Sequence, residues 1–395
     1  MYISLMRILI IHNFYQHKGG EDVVFTQEAT VLKDKGHQVE TLSFQNKKGI
    51  KGLFQFLLYP WNSFAAHKIM KKVADFQPDI VHIHNTHYAI GPLAFRKLSK
   101  RKIPVVLTLH NFRLLDPSAN LFHNNNVFTD TIDKEFPWKS VKNKVLDNSL
   151  LKTFWTAFTI YIHKKLGTWK NIDRILSFSE FGKQLLLRST LQLSAQNIVI
   201  KPNFALESLE EKQIEKKDYF VYIGRLSEEK GIDSLLTAFS KCEYIIHIFG
   251  DGPLVEKVKQ AAQLHPNIVY GGFQQKETLH QHLSASQALL VPSIWFEGMP
   301  MTVLEAFACG TPVIASKIGI LEEMIQNKKN GLLFEPNDDK SIIDALHTWQ
   351  TLSIDDKNAI SENCKKDFSD TYSSQKNVLL LETIYKEAIQ QAKNK

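Results

Sequence analysis

Short, almost wholly apolar runs recur along this 395-residue chain, separated by stretches in which apolar and polar residues alternate at helical spacing. Runs of this kind, bounded by Gly, Pro or Asn, predict buried parallel strands joined by helices, the pattern of a doubly wound α/β architecture. In the first half the pattern predicts strands at 7–12, 38–43, 80–84, 105–110, 174–177 and 198–201. In the second half it predicts strands at 219–223, 244–249, 268–270, 288–291 and 313–315. The chain is longer than one hydrophobic core sustains, so two domains are expected. Lys201-Pro202-Asn203 and the charged run Glu207 to Lys217 mark the junction, giving Rossmann-like domains over 1–203 and 204–373. Val378 to Leu381, Ile384, Tyr385 and Ile389 then set the apolar positions of a closing helix over about 374–395.

One segment carries more chemistry than the rest. After the apolar run Ala288 to Val291 comes Ser293-Ile294-Trp295-Phe296-Glu297-Gly298-Met299-Pro300-Met301-Thr302-Val303-Leu304-Glu305. Pro300 predicts a helix start, because a first-turn proline lacks only an N–H that would be unpaired anyway. Glu297 then lies in the preceding loop and Glu305 one to two turns into the helix, on a face able to look toward the same cleft. Backbone N–H groups of Gly298, Met299 and Met301 would point at an anion or a sugar hydroxyl held there. Gly310 closes the helix, and Thr311-Pro312 leads into the next strand. Ile223-Gly224-Arg225-Leu226-Ser227-Glu228-Glu229-Lys230-Gly231 follows another strand, with a guanidinium and an ammonium able to neutralise a diphosphate.

The 293–315 segment resembles the signature of the retaining glycosyltransferases of family four (glycosyl transferases group 1), a GT-B group in which two Rossmann-like doubly wound domains face a central cleft. The resemblance implies that Glu297 contacts the donor sugar near its reacting carbon and that Glu305 holds the ribose hydroxyls. It places the donor diphosphate on Arg225 and Lys230, with Gly20 of Gly19-Gly20-Glu21 approaching it from the other domain. His110, at the tip of the strand Leu107-Thr108-Leu109-His110, resembles the active-site histidine that contacts the donor sugar, a polar core histidine being the bland reading. His84 and Asn85 are expected near the cleft rim on the acceptor side, with His82 facing the interior. The closing helix is expected to cross back onto the first domain. The activity implied is transfer of a sugar from a nucleotide diphosphate sugar, with retention, to a hydroxyl of a glycan or lipid-linked glycan in surface polysaccharide synthesis. No cofactor is expected, and no metal, since no acidic cluster of the DxD kind stands at a strand end. A nucleotide-sugar epimerase of the same fold and a non-catalytic GT-B partner subunit are the alternatives. Gly19-Gly20 departs from a G-x-G-x-x-G fingerprint, which disfavours a dinucleotide redox cofactor.

Charge adds a further expectation. Residues 1–205 carry 28 lysines and arginines against 14 acidic residues, whereas the remainder carries 20 against 27. In the first half the basic residues interleave with aromatics, from Lys47 through Phe54, Tyr59, Trp61 and Phe64 to Lys72, and again from Trp138 to Lys170. Such stretches are either domain helices with buried aromatics and solvated lysines, or a face for an anionic membrane surface. The lipid-linked acceptors implied by the resemblance favour the second. No nucleic-acid motif accompanies the basic face. Cys242, Cys309 and Cys364 show neither paired nor metal-type spacing, which fits a reducing compartment. With no apolar stretch of spanning length and no cleavage pattern in Met1 to Arg7, the expected location is cytoplasmic, peripheral on the inner face of the membrane.

Overall fold

The computed structural model describes residues 5–16, 19–206 and 215–394, so Met1 to Ser4 and most of the charged run expected at the junction lie outside the described residues. The chain divides into two compact units. The first comprises residues 1–120, 129–203 and 377–395, and the second residues 121–128 and 204–376.

Strands β1 (Arg7–Phe14), β2 (Gln38–Gln45), β3 (Ile80–Ile83) and β4 (Val105–Thr108) come first. A small hairpin of β5 (Phe122–His123) and β6 (Asn126–Val127) follows, then β7 (Arg174–Ser177) and β8 (Ile198–Ile200). All but the hairpin form one parallel sheet in the order β2-β1-β3-β4-β7-β8. Helices α1 (Gly20–Asp34), α2 (Gly49–Leu58), α3 (Ser63–Phe76), α4 (Leu93–Lys100), α5 (Trp138–Lys142), α6 (Leu150–Lys165) and α7 (Glu180–Arg188) connect these strands. Their starts follow from local chemistry. The Asn62 side chain accepts from the Ala65 N–H at 3.0 Å to open α3, and Ser179 accepts from the Gly182 N–H at 3.1 Å to open α7.

The second unit repeats the plan with β9 (Phe220–Ile223), β10 (Ile246–Phe249), β11 (Ile268–Gly272), β12 (Leu289–Val291), β13 (Val313–Ser316) and β14 (Gly331–Phe334). They pair in the order β11-β10-β9-β12-β13-β14, again all parallel. Around them lie α8 (Ile232–Ser240), α9 (Val255–Leu264), α10 (Lys276–Ala285), α11 (Met301–Ala308), α12 (Ile320–Met324), α13 (Asp339–Thr351) and α14 (Ile354–Asp367). Phe220, Leu235, Phe239, Ile248, Ile314, Leu346 and Trp349 form its core. The last helix, α15 (Ser374–Lys393), buries Val378, Leu381, Ile384, Tyr385 and Ala388 against Met6, Ile8, Ile10, Phe25 and Val39 of the first unit.

Strand order decides where ligands can enter, because in open parallel sheets the crevice forms where the winding direction reverses, outside the carboxyl ends of the strands. That point lies between β1 and β3 in the first unit and between β9 and β12 in the second.

The expected strands are present, with three corrections. β3 stops at Ile83 and β4 at Thr108, so His84 and His110 sit just past strand ends rather than on them. β14 was not among the expected strands because Gly331 opens it and reads as a turn. The glycine is required by proximity: a Cβ there would stand 1.9 Å from the Val313 carbonyl oxygen on β13. The β5–β6 hairpin, two residues per strand, is too short for periodicity to register.

The packing of α15 has a direct test. Leu381 is fully buried, so Leu381→Ala should lower unfolding free energy by about 2–5 kcal/mol in a denaturant titration. Leu379 on the same helix is 45% exposed, and Leu379→Ala should stay within about 0.5 kcal/mol of the parent. Equal effects would contradict the burial assigned to this helix.

Candidate active site

In the second unit three strand-end loops converge. Gly250, after β10, approaches the loop after β9 so closely that a Cβ would lie 1.8 Å from the Gly224 carbonyl oxygen; its φ of 143° also suits glycine. Gly231 closes the Glu228–Lys230 turn at φ 70°, where a Cβ would meet the Pro292 carbonyl oxygen at 1.8 Å. These contacts bring Lys230 to the loop after β12. Its Nζ donates to Glu297 Oε1 at 2.7 Å and stands 5.2 Å from the centre of the Trp295 ring. Ser293 Oγ donates to the same carboxylate oxygen at 2.5 Å. Burial alone would raise the Glu297 pKa, but the Lys230 charge and these hydrogen bonds outweigh it and hold the carboxyl below the usual range. Glu297 is therefore an ionised carboxylate, almost wholly shielded from solvent.

The other residues expected here take separate positions. Arg225 is exposed, and among the described residues its side chain carries no ion pair. Glu305 lies half-buried in α11, 3.4 Å from the Lys276 ammonium, and makes no contact with Lys230 or Glu297. Gly298 and the buried Met299 occupy the turn before α11, and Met301 opens that helix, where first-turn N–H groups have no intrahelical partners.

In the first unit Gly20 is the first residue of α1, exposed beside Gly19. Asp22 accepts from the Gly19 N–H at 3.0 Å and lies 2.7 Å from His12 Nε2, which ties the loop to the end of β1. Burial, the largest influence on His12, lowers its pKa to about 4. His110 is half-buried on the loop after β4, and its Nε2 lies 3.0 Å from His84 Nδ1 with the rings stacked. Burial, then the neighbouring His84, holds His110 well below the ordinary histidine range, so it is neutral at pH 7.

His84 and Asn85 were expected at a rim; the structure buries both, at 2% and 8% exposure. His84 Nε2 faces Glu28 Oε2 at 3.3 Å, and Glu28 is paired directly with Lys201, both fully buried. Asn85 donates from Nδ2 to Glu21 Oε1 at 3.1 Å and to the Asn13 carbonyl at 3.0 Å. His82 is interior as expected, bridging the Tyr385 hydroxyl (2.8 Å) and Thr108 Oγ1 (2.7 Å).

Sequence reasoning missed Glu28, Lys201 and Glu21. Glu28 was detectable as an acid on the apolar stripe of α1 between Phe25 and Leu32, and Lys201 as a cation ending the run Ile198-Val199-Ile200. Two groups here present possible metal-ligand atoms within 4.8 Å of one another: Glu28 with His82 and His84, and His12 with Glu21 and Asp22. The first already holds the Lys201 ammonium, and both ring nitrogens of His82 are occupied. In the second, His12 Nε2 is engaged by Asp22.

Comparison with known proteins bears on the family and the fold. The family model for glycosyl transferases group 1 matches residues 206–367, and that for glycosyltransferase family four matches residues 18–204. An uncharacterized glycosyltransferase of Methanocaldococcus jannaschii is 25% identical over 97% of this chain and 99% of its own. A lipopolysaccharide 1,6-galactosyltransferase of Escherichia coli is 29% identical over 56% of this chain and 64% of its own. Among solved structures, HepE of Anabaena, in complex with UDP, superposes with a TM-score of 0.66 at 16% identity, covering 96% of this chain and 99% of that one.

Glu21 supplies a pH test. Burial, then the adjacent Asp22, raises its pKa from 4.5 to about 8. Between those values the folded chain keeps a proton that the unfolded chain has released, so stability falls as pH rises through that window. Glu21→Gln should therefore match the parent in thermal unfolding near pH 4.5 and become progressively more stable than it toward pH 8. A difference independent of pH would contradict the assignment.

Proposed function

Since the chain belongs to the group 1, family four glycosyltransferases and has their GT-B fold, we propose that it moves a sugar from a nucleotide diphosphate sugar to a hydroxyl of a glycan or lipid-linked glycan. The transfer retains the anomeric configuration, needs no metal ion, and serves surface polysaccharide assembly. The observation that carries this reading is the Lys230–Glu297 pair, its carboxylate buried, at the point where the second sheet reverses its winding, with the exposed Arg225 five residues before Lys230. Breaking the bond from sugar to diphosphate puts negative charge on the departing phosphate and positive charge on the anomeric carbon. Arg225 and Lys230 would hold the first charge, as a fork and a point charge, in the role a metal ion could otherwise fill. Glu297, kept ionised by Lys230, would orient the sugar hydroxyls and face the developing positive carbon. His110, neutral and held by His84 at the carboxyl edge of the first sheet, would offer a hydrogen bond to a sugar hydroxyl. A donor phosphate oxygen can take the acceptor proton on the face that the leaving group vacates, so no separate protein base is required. The UDP in HepE supports a nucleotide donor, and the lipopolysaccharide galactosyltransferase supports a surface-glycan acceptor.

A membrane-bound acceptor fits a second observation. No helix of the described residues is long and apolar enough to cross a membrane. Yet α2 buries none of its residues: Ile50, Leu53, Phe54 and Leu57 line one face at 52–75% exposure, and Trp61 and Phe64 continue it. Lys47, Lys48 and Lys51 flank that stripe. An apolar stripe edged by lysines suits the headgroup boundary of an anionic bilayer.

Glu297→Gln preserves shape and removes the charge. Turnover of the nucleotide sugar should fall on the order of 10²-fold or more with thermal stability little changed; near-parental turnover would remove Glu297 from the mechanism. Ile50→Ser/Phe54→Ser should reduce co-sedimentation with phosphatidylglycerol vesicles about tenfold or more, because each side chain contributes roughly 1.5–3 kcal/mol on burial. Unaltered co-sedimentation would exclude α2 as the contact.

A further inference from the structure

Arg113 stands three residues beyond His110, on a loop held in place by its own backbone and by Asp116. Asp116 accepts hydrogen bonds from Thr131 Oγ1 at 2.5 Å and from Ser140 Oγ. The Arg113 guanidinium is turned inward, into a box walled by Tyr15, Tyr59, His87 and Tyr88. The His87 and Tyr88 ring centres lie 3.7 Å apart, and Tyr59 meets each of them edge-on at 5.2 Å. Tyr15, just past β1, closes the side toward His87 at 6.1 Å.

The box holds a charge without a counter-charge. Arg113 Nη1 donates to the Pro117 carbonyl at 2.9 Å, its Nε is buried with no partner, and no carboxylate among the described residues is within ion-pair distance of it. Glu21, whose carboxyl senses the Arg113 charge, is raised by burial to a pKa of about 8, and burial holds His87 well below the ordinary histidine range. A shielded guanidinium is stable only when paired; the Tyr15 hydroxyl lies within its reach, that of Tyr88 lies near Thr156, and each keeps an O–H able to turn to a ligand. A cation with no carboxylate partner, beside two hydroxyls able to donate, describes a receptor for an oxyanion.

Its surroundings indicate what carries that anion. Phe56, on the inner side of α2, packs on Tyr88 at 5.6 Å, and Trp155 Nε1 donates to the Phe56 carbonyl at 2.6 Å. The outer side of the same helix is the exposed stripe of Ile50, Leu53, Phe54 and Leu57. The oxyanion box is thus separated from an apolar, lysine-edged surface by the thickness of one helix. We propose that Arg113, with the hydroxyls of Tyr15 and Tyr88, binds the phosphate or diphosphate of an amphipathic acceptor whose apolar end lies along α2. This rests on the glycosyltransferase reading above and names the class of its acceptor: a glycan joined to a lipid through phosphate.

The test uses the full chain and three probes in calorimetric titration: farnesyl diphosphate below its micellar concentration, inorganic pyrophosphate, and farnesol. Parent, Arg113→Gln, Arg113→Lys and Arg225→Ala are compared, with thermal stabilisation by a panel of nucleoside diphosphates as a separate readout. Farnesyl diphosphate should bind the parent more tightly than either other probe. Its affinity should drop tenfold or more in Arg113→Gln, partly recover in Arg113→Lys, and change less than twofold in Arg225→Ala. Equal binding of pyrophosphate and farnesyl diphosphate, both dependent on Arg113, would overturn the lipid assignment in favour of a soluble phosphate. Loss in Arg225→Ala but not in Arg113→Gln would overturn the site itself, as would loss of nucleoside diphosphate stabilisation in both Arg113 variants, which would mark the residue as structural. If no nucleoside diphosphate stabilises even the parent, the donor reading fails, and the Arg113 titrations are judged separately.

Discussion

The ion pair between Glu28 and Lys201 is the interaction on which the first unit depends. Neither side chain has any exposure to water, and an unpaired charge at such depth would cost several kcal/mol. Burial pushes the Glu28 pKa upward, but the Lys201 charge, with His84 and His82, reverses that and holds it well below the usual carboxylate range. One carboxylate thereby ties α1 to the end of β8, and through His84 to the end of β3. His82 extends the same polar core to β4 through Thr108 and to α15 through Tyr385. His110, the outermost ring, takes its orientation from His84, so the geometry at the sheet's carboxyl edge is fixed from inside. Removing either charge alone would leave the other unpaired, an expected loss of about 3–5 kcal/mol.

The second unit uses a related device nearer the surface. Lys230 keeps Glu297 ionised, yet Lys230 retains partial exposure and its ammonium remains available to a ligand. The difference follows from position: Lys201 is itself fully buried just past β8, whereas Lys230 ends a short turn held against Pro292 by Gly231. The first pair organises a core, and the second places charge where a diphosphate can meet it. In the second unit the charged groups stand at the sheet's point of reversal, where neighbouring crossovers diverge and leave room for a ligand, whereas Lys201 follows β8 at the edge of the first sheet.

The legible parts of the sequence were those governed by near neighbours. The apolar runs located eleven strands because both faces of a parallel sheet are covered, and Pro300 located the start of α11 through its missing N–H. Glu297 and Lys230 were legible as motif residues, but their mutual contact was not, since 67 residues separate them. Glu28 and Lys201 stood in the sequence as charges within apolar patterns, and only the fold shows that they neutralise each other across 173 residues. The Arg113 box escaped notice because its walls come from loops after β1, α2 and β3, with no common spacing. β14 escaped because its glycine is explained by a carbonyl on another strand.

The packing of α15 also sets an order of events during synthesis. The first unit contains both the opening strand of the chain and its last helix, so Ile8, Ile10 and Phe25 are without their covering side chains until Leu381, Ile384 and Tyr385 have been made. The second unit, by contrast, is nearly contiguous and complete by residue 376. Nascent domains usually fold in the order in which they emerge; here the half whose strands are translated earlier is the half that finishes later, its sheet partly uncovered in the interval.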